Sequence, residues 1–133
     1  MKIKLGDAKT MWEGLAELKK QKKKFPIKVK FAITQNVDAL EKEASSLEIQ
    51  RIELCEMYAN KDKDGKPITK DKAYDIPEGA KEELNKEYSD LKAEEVEVDI
   101  RMVPIEEFDK CENEPYEMPT WEDLYAMRFM IEG

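Results

Sequence analysis

The side chains of this 133-residue chain that could do chemistry are carboxylates, lysines, tyrosines and two cysteines, because it contains no histidine. Acid–base catalysis would then need one of these groups with a displaced pKa. Carboxylate pairs on one helix face, such as Glu83 and Glu87, arise readily among 31 acidic residues and read as solvated, salt-paired surface. Cys55 reads as a small apolar residue on a helix. Cys111 falls in an acidic, polar stretch, is expected to be exposed, and is a poor nucleophile because neighbouring carboxylates disfavour a thiolate. The five glycines are isolated, so no phosphate-cradling loop exists, and no nucleophile elbow, Walker lysine or zinc spacing is present. One metal pattern needs weighing. Asn60, Asp62, Asp64 and Gly65, with Asp71 in the last position, approach the twelve-residue calcium loop. Asn60 and Asp71 replace the usual Asp and Glu, Pro67 follows the turn, and five lysines crowd residues 61–72, so a polar Asp-Gly turn is the better reading. The sequence therefore predicts a protein that is not an enzyme and that uses no cofactor and no metal.

The elements that must position these residues follow from periodicity. Ile3 and Leu5 alternate with lysines, a short strand signal. Asp7 can cap a helix from Ala8, on which Met11, Trp12, Leu15 and Leu18 recur at helical spacing. The run Lys19, Lys20, Lys22, Lys23, Lys24 ends it and suits the negative end of the helix dipole. Phe25-Pro26 breaks the chain and opens a second helix, since proline is tolerated in a first turn. From Ile27 to Ala59 there is no Gly or Pro, and Val37, Leu40, Ala44, Leu47, Arg51, Leu54 and Tyr58 alternate steps of three and four. That is a heptad seam on a rod of roughly 50 Å. Such a rod cannot bury its own stripe, so an antiparallel neighbour or a second copy of the chain is expected. Residues 60–77 read as a β-hairpin or ordered loop around Asp64-Gly65 and Lys66-Pro67. A helix from Glu78 to Glu94 carries the stripe Ala80, Leu84, Tyr88, Leu91. Val96, Val98, Ile100 and Met102 then alternate with charges as a strand ending at Pro104, to be paired with the N-terminal strand. Residues 105–119 read as an acidic, proline-punctuated loop, and Thr120 with Asp123 as a capping box opening a last helix with Trp121, Leu124, Tyr125, Met127 and Ile131 as its apolar positions.

The expected fold is a single α+β domain over residues 1–133. It comprises a long antiparallel helical hairpin (27–94) with a short β-hairpin tip (60–77), two short helices, and a small antiparallel sheet supplied by residues 1–24 and 95–133. No apolar run reaches the 18 residues of a membrane span, and Met1–Gly6 lacks the apolar region of a signal peptide. With two cysteines and no C-x-x-C motif, a reducing cytoplasm is expected.

Charge is divided unevenly. The net charge is -8, yet residues 1–30 hold ten lysines against Asp7, Glu13 and Glu17, a net +7. The remainder is strongly acidic, which suggests steering of a protein partner or head-to-tail self-association. The lysine cluster with Lys28 and Lys30 could serve a nucleic acid, but Phe25 and Trp12 fit a core stripe better than a stacking platform, and the acidic remainder repels phosphate. Direct nucleic-acid binding is therefore not expected. The acidic residues Glu94, Glu95, Glu97, Asp99, Glu106, Glu107 and Asp109 could instead imitate a phosphate backbone. The aromatic terminus spreads its apolar positions over more than one helical face, which leaves Trp121 and Phe129 as candidate partner contacts.

The order of features also carries a resemblance. A lysine-rich start, Phe25-Pro26-Ile27 opening a long helix, Arg51-Ile52-Glu53-Leu54 before Tyr58 and an Asp-Gly turn come first. Glu87-Tyr88-Ser89-Asp90-Leu91 and the strand Glu95–Ile100 follow. Over residues 1–108 this resembles a family of small phage and prophage proteins of Firmicutes, and the acidic stretch 105–119 has no counterpart there. The resemblance implies a viral accessory or virion-assembly role in a bacterial cytoplasm and carries over no active-site residue. The leading expectation is a non-enzymatic protein that binds a phage or host protein. The alternative is an inhibitor of a host nucleic-acid-handling or defence enzyme acting through the acidic face.

Overall fold

The computed structural model describes residues 1–133 and has an α+β architecture built on one long helix. β1 (Lys2–Lys4) leads directly into α1 (Leu5–Lys20), and α2 (Ile27–Tyr58) is the unbroken 32-residue rod that its lack of Gly and Pro predicts. Pro26, with φ at -53°, precedes its first turn. The tip contains β2 (Thr69–Lys70) and β3 (Ala73–Tyr74), and α3 (Glu78–Lys92) returns antiparallel to α2. β4 (Glu95–Glu97), β5 (Val103–Pro104), a 3-10 helix (Ile105–Glu112), α4 (Trp121–Met127), a 3-10 turn (Arg128–Met130) and β6 (Ile131–Glu132) complete the chain.

The rod's stripe is divided between two partners. Val29, Ala32, Ile33, Val37, Leu40, Ala44 and Leu47 are buried, and α1 is the helix that covers most of them. The ion pair Lys9–Glu48 (3.9 Å) at one end, and Leu18 beside Ile33 at the other, show α1 running antiparallel to α2. Beyond Leu47 the seam changes character. Arg51, Leu54 and Tyr58 are half-buried, and α3, which has no fully buried residue, lies along this half. The expected hairpin of α2 with Glu78–Glu94 is present, α3 covering only part of the longer helix, while the apolar half of the stripe is covered by α1, which the sequence did not single out. Leu15 and Leu18 of α1 are more apolar than the Glu- and Lys-rich α3, so α1 takes the apolar half of the stripe.

Several boundaries differ from expectation for local reasons. α1 begins at Leu5 rather than Ala8, so Asp7 sits inside the first turn, favourable to the dipole, instead of capping it. β1 and β4 pair antiparallel as expected, in the register Lys2↔Glu97, Ile3↔Val96, Lys4↔Glu95. The strand expected through Met102 is shorter: its ladder ends where Val98 exchanges hydrogen bonds with Met1 (2.9 and 2.8 Å), and beyond Val98 the backbone runs beside α2 to β5. At the tip the tight turn is Asp71-Lys72, both in the left-handed region (φ 50° and 67°), between Lys70 and Ala73. That placement is invisible to turn chemistry, which favours Gly or Asn there. Residues 105–112, expected as loop, form the 3-10 helix, and this winding turns Cys111 inward to 2% exposure rather than outward. Burial pushes its thiol pKa up. Ile131, expected on the last helix, lies in β6 and pairs parallel with Val103.

Gly14 of α1 faces Ala126 of α4, and an added Cβ would meet the Ala126 Cβ at 3.9 Å, an ordinary contact. Gly6 has no such room, since its Cβ would lie 3.0 Å from the Lys92 Cβ. Gly14→Ala should raise stability by about 0.5–1 kcal/mol in thermal or urea unfolding. Gly6→Ala should fall short of that gain, and equal stabilisation at both sites would contradict the packing described.

Candidate protein-binding surface

The C-terminal lysine run of α1 and the first turns of α2 meet at one end of the rod. Lys22 turns the chain there with a positive φ of 52°. Glu117 fastens this corner to the C-terminal region, with its amide donating to the Lys24 carbonyl (3.0 Å) and its carboxylate accepting from the Lys24 amide (3.1 Å). Between α1 and α2 lies a recess of about 280 Å³ with an apolar floor of Leu18, Phe25 and Ile33 and a rim of Lys19, Lys22, Lys23 and Lys30. No carboxylate lines it. Lys23 is held by Asp123 (3.4 Å), whereas Lys19, Lys22 and Lys30 make no ion pair. Lys30 and Thr34 also border a shallower depression lined by Ile27, Lys28 and Phe31. Ile27 is 75% exposed and Phe31 is 47% exposed, although Arg101 stacks over the Phe31 ring at 4.7 Å. Trp12 and Phe25 both belong to the core as expected, Phe25 fully and Trp12 in part.

A buried amide sets the path of the segment beside this end. Asn36, fully buried on α2, accepts from the Arg101 amide (2.7 Å) and donates to the Arg101 carbonyl (3.0 Å). Its Nδ2 also lies 3.4 Å from the Met130 Sδ. The side chain thus supplies both hydrogen bonds that a neighbouring strand would have given to Arg101. Sequence reading passed over Asn36, yet it stands three residues after Ile33 and four before Leu40, a polar residue within the apolar stripe. A buried Asn in such a stripe is a recognised means of fixing register.

The carboxylates expected to form one acidic face are placed in two groups. Glu94, Glu95, Glu97 and Asp99 lie around β4, while Glu106, Glu107 and Asp109 lie on the 3-10 helix beside the start of α2. The extended run from Val98 to Val103, roughly 15 Å long, separates them. Three are already paired: Glu95 with Lys2 (3.9 Å), Glu97 with the Met1 amino group (2.8 Å), and Glu107 with Lys28 (3.9 Å) and Lys110 (3.0 Å). Of the two aromatic candidates, Trp121 is 79% exposed, and Phe129 is half-buried against the core. The Thr120–Asp123 capping box is present, with Thr120 Oγ1 accepting from the Asp123 amide (3.1 Å) and the Asp123 carboxylate from the Thr120 amide (3.0 Å). Tyr125 is exposed instead of contributing to the core, under the Arg128 guanidinium at 3.9 Å.

At the tip, Asp62 Oδ1 accepts from the amides of Asp64 (2.9 Å) and Lys66 (3.0 Å), and Asn60 donates to Asp75 (3.1 Å). These side chains hold the turn, and no three His, Cys, Asp or Glu residues lie close enough together to hold a metal ion. The shifted titrations have pairwise causes. The hydrogen bond from Arg51 holds the Glu48 carboxyl below its usual range. Glu56 raises the Tyr74 phenol through a 3.0 Å hydrogen bond, and the neighbouring Glu87 carboxylate raises Tyr58. The terminal amino group lowers Glu97. No protein-family model matches this sequence, nor does any curated protein or solved structure. No helix is long and apolar enough to cross a membrane.

Replacing Asn36 with Leu should remove both bonds to Arg101 and cost roughly 2–3 kcal/mol in denaturant unfolding. A change within a few tenths of a kcal/mol would show that the amide is not what holds the segment. The Glu48–Arg51 pair gives a pH test. A depressed carboxylate adds stability above its unfolded pKa and loses it as pH falls through the lower folded value. Wild type should therefore exceed Glu48→Gln slightly at neutral pH and converge with it in acid below the ordinary Glu range. The gap should be a few tenths of a kcal/mol because both side chains are about 40% exposed.

Proposed function

We propose that this chain is a non-enzymatic protein-binding accessory of a bacterial cytoplasm, in the phage or prophage setting implied by the sequence resemblance. Its contact surface is the lysine-rimmed apolar end of α2. One observation carries the reading: Ile27 and Phe31 stand exposed beside a recess with an apolar floor, surrounded by Lys19, Lys22 and Lys30, none of which has an ion-pair partner. Clustered like charges around apolar surface cost stability in the free protein, and a partner with acidic groups around an apolar anchor relieves both terms. A phosphate-mimicking acidic face is the weaker reading, because its carboxylates are split and partly paired.

Affinity capture from a bacterial host, with and without phage induction, tests the proposal. The immobilised protein should retain an acidic partner that salt releases, and Ile27→Ser with Phe31→Ser should lose it. If the double variant retains the same proteins as wild type, the surface has been wrongly assigned.

A further inference from the structure

The lysine-rimmed recess lies next to a feature of opposite character. Lys23, part of its rim, is paired with Asp123 of α4, and Glu117 approaches it at 4.0 Å. Trp121, the first residue of α4, stands between these two acids in the chain and is 79% exposed. The Thr120–Asp123 capping box holds the backbone on either side of it, so the indole is presented from a fixed base. Met118, 58% exposed, and the exposed Glu122 flank it. An aromatic anchor with the free carboxylate of Glu122 beside it is thus joined through Lys23 to a basic recess that has an apolar floor and room for one large side chain.

We infer that this pair of patches is self-complementary and that the chain forms a two-fold symmetric dimer, with Trp121 of each copy seated in the other copy's recess. A surface carrying both a knob and its matching hole side by side is satisfied by a half-turn about their common edge, and the contact then closes instead of propagating. Charge argues for a second copy as occupant. Glu122 of one protomer, exposed and without an ion pair of its own, would face Lys19, Lys22 and Lys30 of its partner, which likewise make no ion pair within one chain. Tryptophan is the residue type that most often anchors such contacts, and lysines around its ring add cation–π attraction. The heptad seam, the self-association surface suggested by sequence, is occupied by α1 and α3, whereas Ile27, Phe31 and Trp121 remain exposed. The inference rests on the reading of the recess as a contact surface.

Sedimentation velocity of the full chain, from low micromolar to near-millimolar concentration, tests it. Wild type should pass from monomer to dimer, with association weakened about tenfold or more on going from low to high salt. Acrylamide quenching of the tryptophan emission should fall over the same range as Trp121 becomes covered. Trp121→Ala and the pair Lys22→Glu with Lys30→Glu should each weaken dimerisation more than tenfold. All three positions are exposed, so the fold is not at stake. A chain that stays monomeric, a dimer indifferent to Trp121→Ala, or growth beyond dimers would each overturn the inference. A monomer that still captures another protein through Ile27 and Phe31 would leave the binding role standing and remove only self-association.

Discussion

The apolar stripe of α2 from Val29 to Leu47 has no partner within its own helix, and most of the remaining chain is arranged to cover it. A rod of 32 residues, about 48 Å long, exposes far more apolar surface than helical hydrogen bonds can offset. α1 supplies Ala8, Leu15 and Leu18 against it, and the C-terminal third adds Val98, Val103, Cys111, Met127 and Met130 to the same core. Each large side chain fully buried here contributes roughly 1.5–3 kcal/mol. The half of the rod under α3 is held differently, by half-buried side chains such as Leu54 and Tyr58 that water reaches. The core end is accordingly the more stable part of the molecule, and the tip the more easily opened one.

Asn36 is the polar exception within that core, and its position explains the shape of the C-terminal third. Having left the ladder after Val98, the chain needs a partner for its backbone while lying against a helix. The amide of Asn36 answers both groups of Arg101 at once, which sets the register of the 98–103 run on α2. From there Val103 and Pro104 meet Ile131 and Glu132 in parallel, tying the end of the chain beside the segment that Asn36 orients. The two hydrogen bonds between Lys24 and Glu117, one to the Lys24 carbonyl and one from its amide to the Glu117 carboxylate, and the Lys23–Asp123 ion pair close the same region from the other side. The contacts that anchor α4 also fix the base from which its exposed tryptophan, Trp121, projects.

The electrostatic division of the sequence acquires meaning only once folded. Most lysines of α1 and early α2 collect at one end, where Lys19, Lys22 and Lys30 surround apolar side chains without local compensation. The acidic excess is spread over the tip, α3, β4 and the 3-10 helix, and part of it is spent on internal pairing. A surface of this kind steers a partner by charge and holds it by apolar contact.

The sequence by itself determined the elements whose signals are local. The unbroken rod from Ile27, the Thr120–Asp123 cap and the absence of any apolar run long enough to span a membrane were legible because each depends on residues close together or on a simple period, and the distant β1–β4 pairing because alternating lysines on one strand match carboxylates on the other. What only the tertiary structure decided concerns competition between distant segments. Periodicity shows that a stripe must be covered but not by which helix, so the primacy of α1 over α3 was hidden. The inward turn of Cys111, the early end of β4 and the role of Asn36 all follow from where the 98–112 segment is laid on α2. The lysine-rimmed recess was hidden for the same reason. Its rim and floor come from two helices and the turn between them, and only their crossing sets Ile33 and Lys30 beside Leu18 and Lys22.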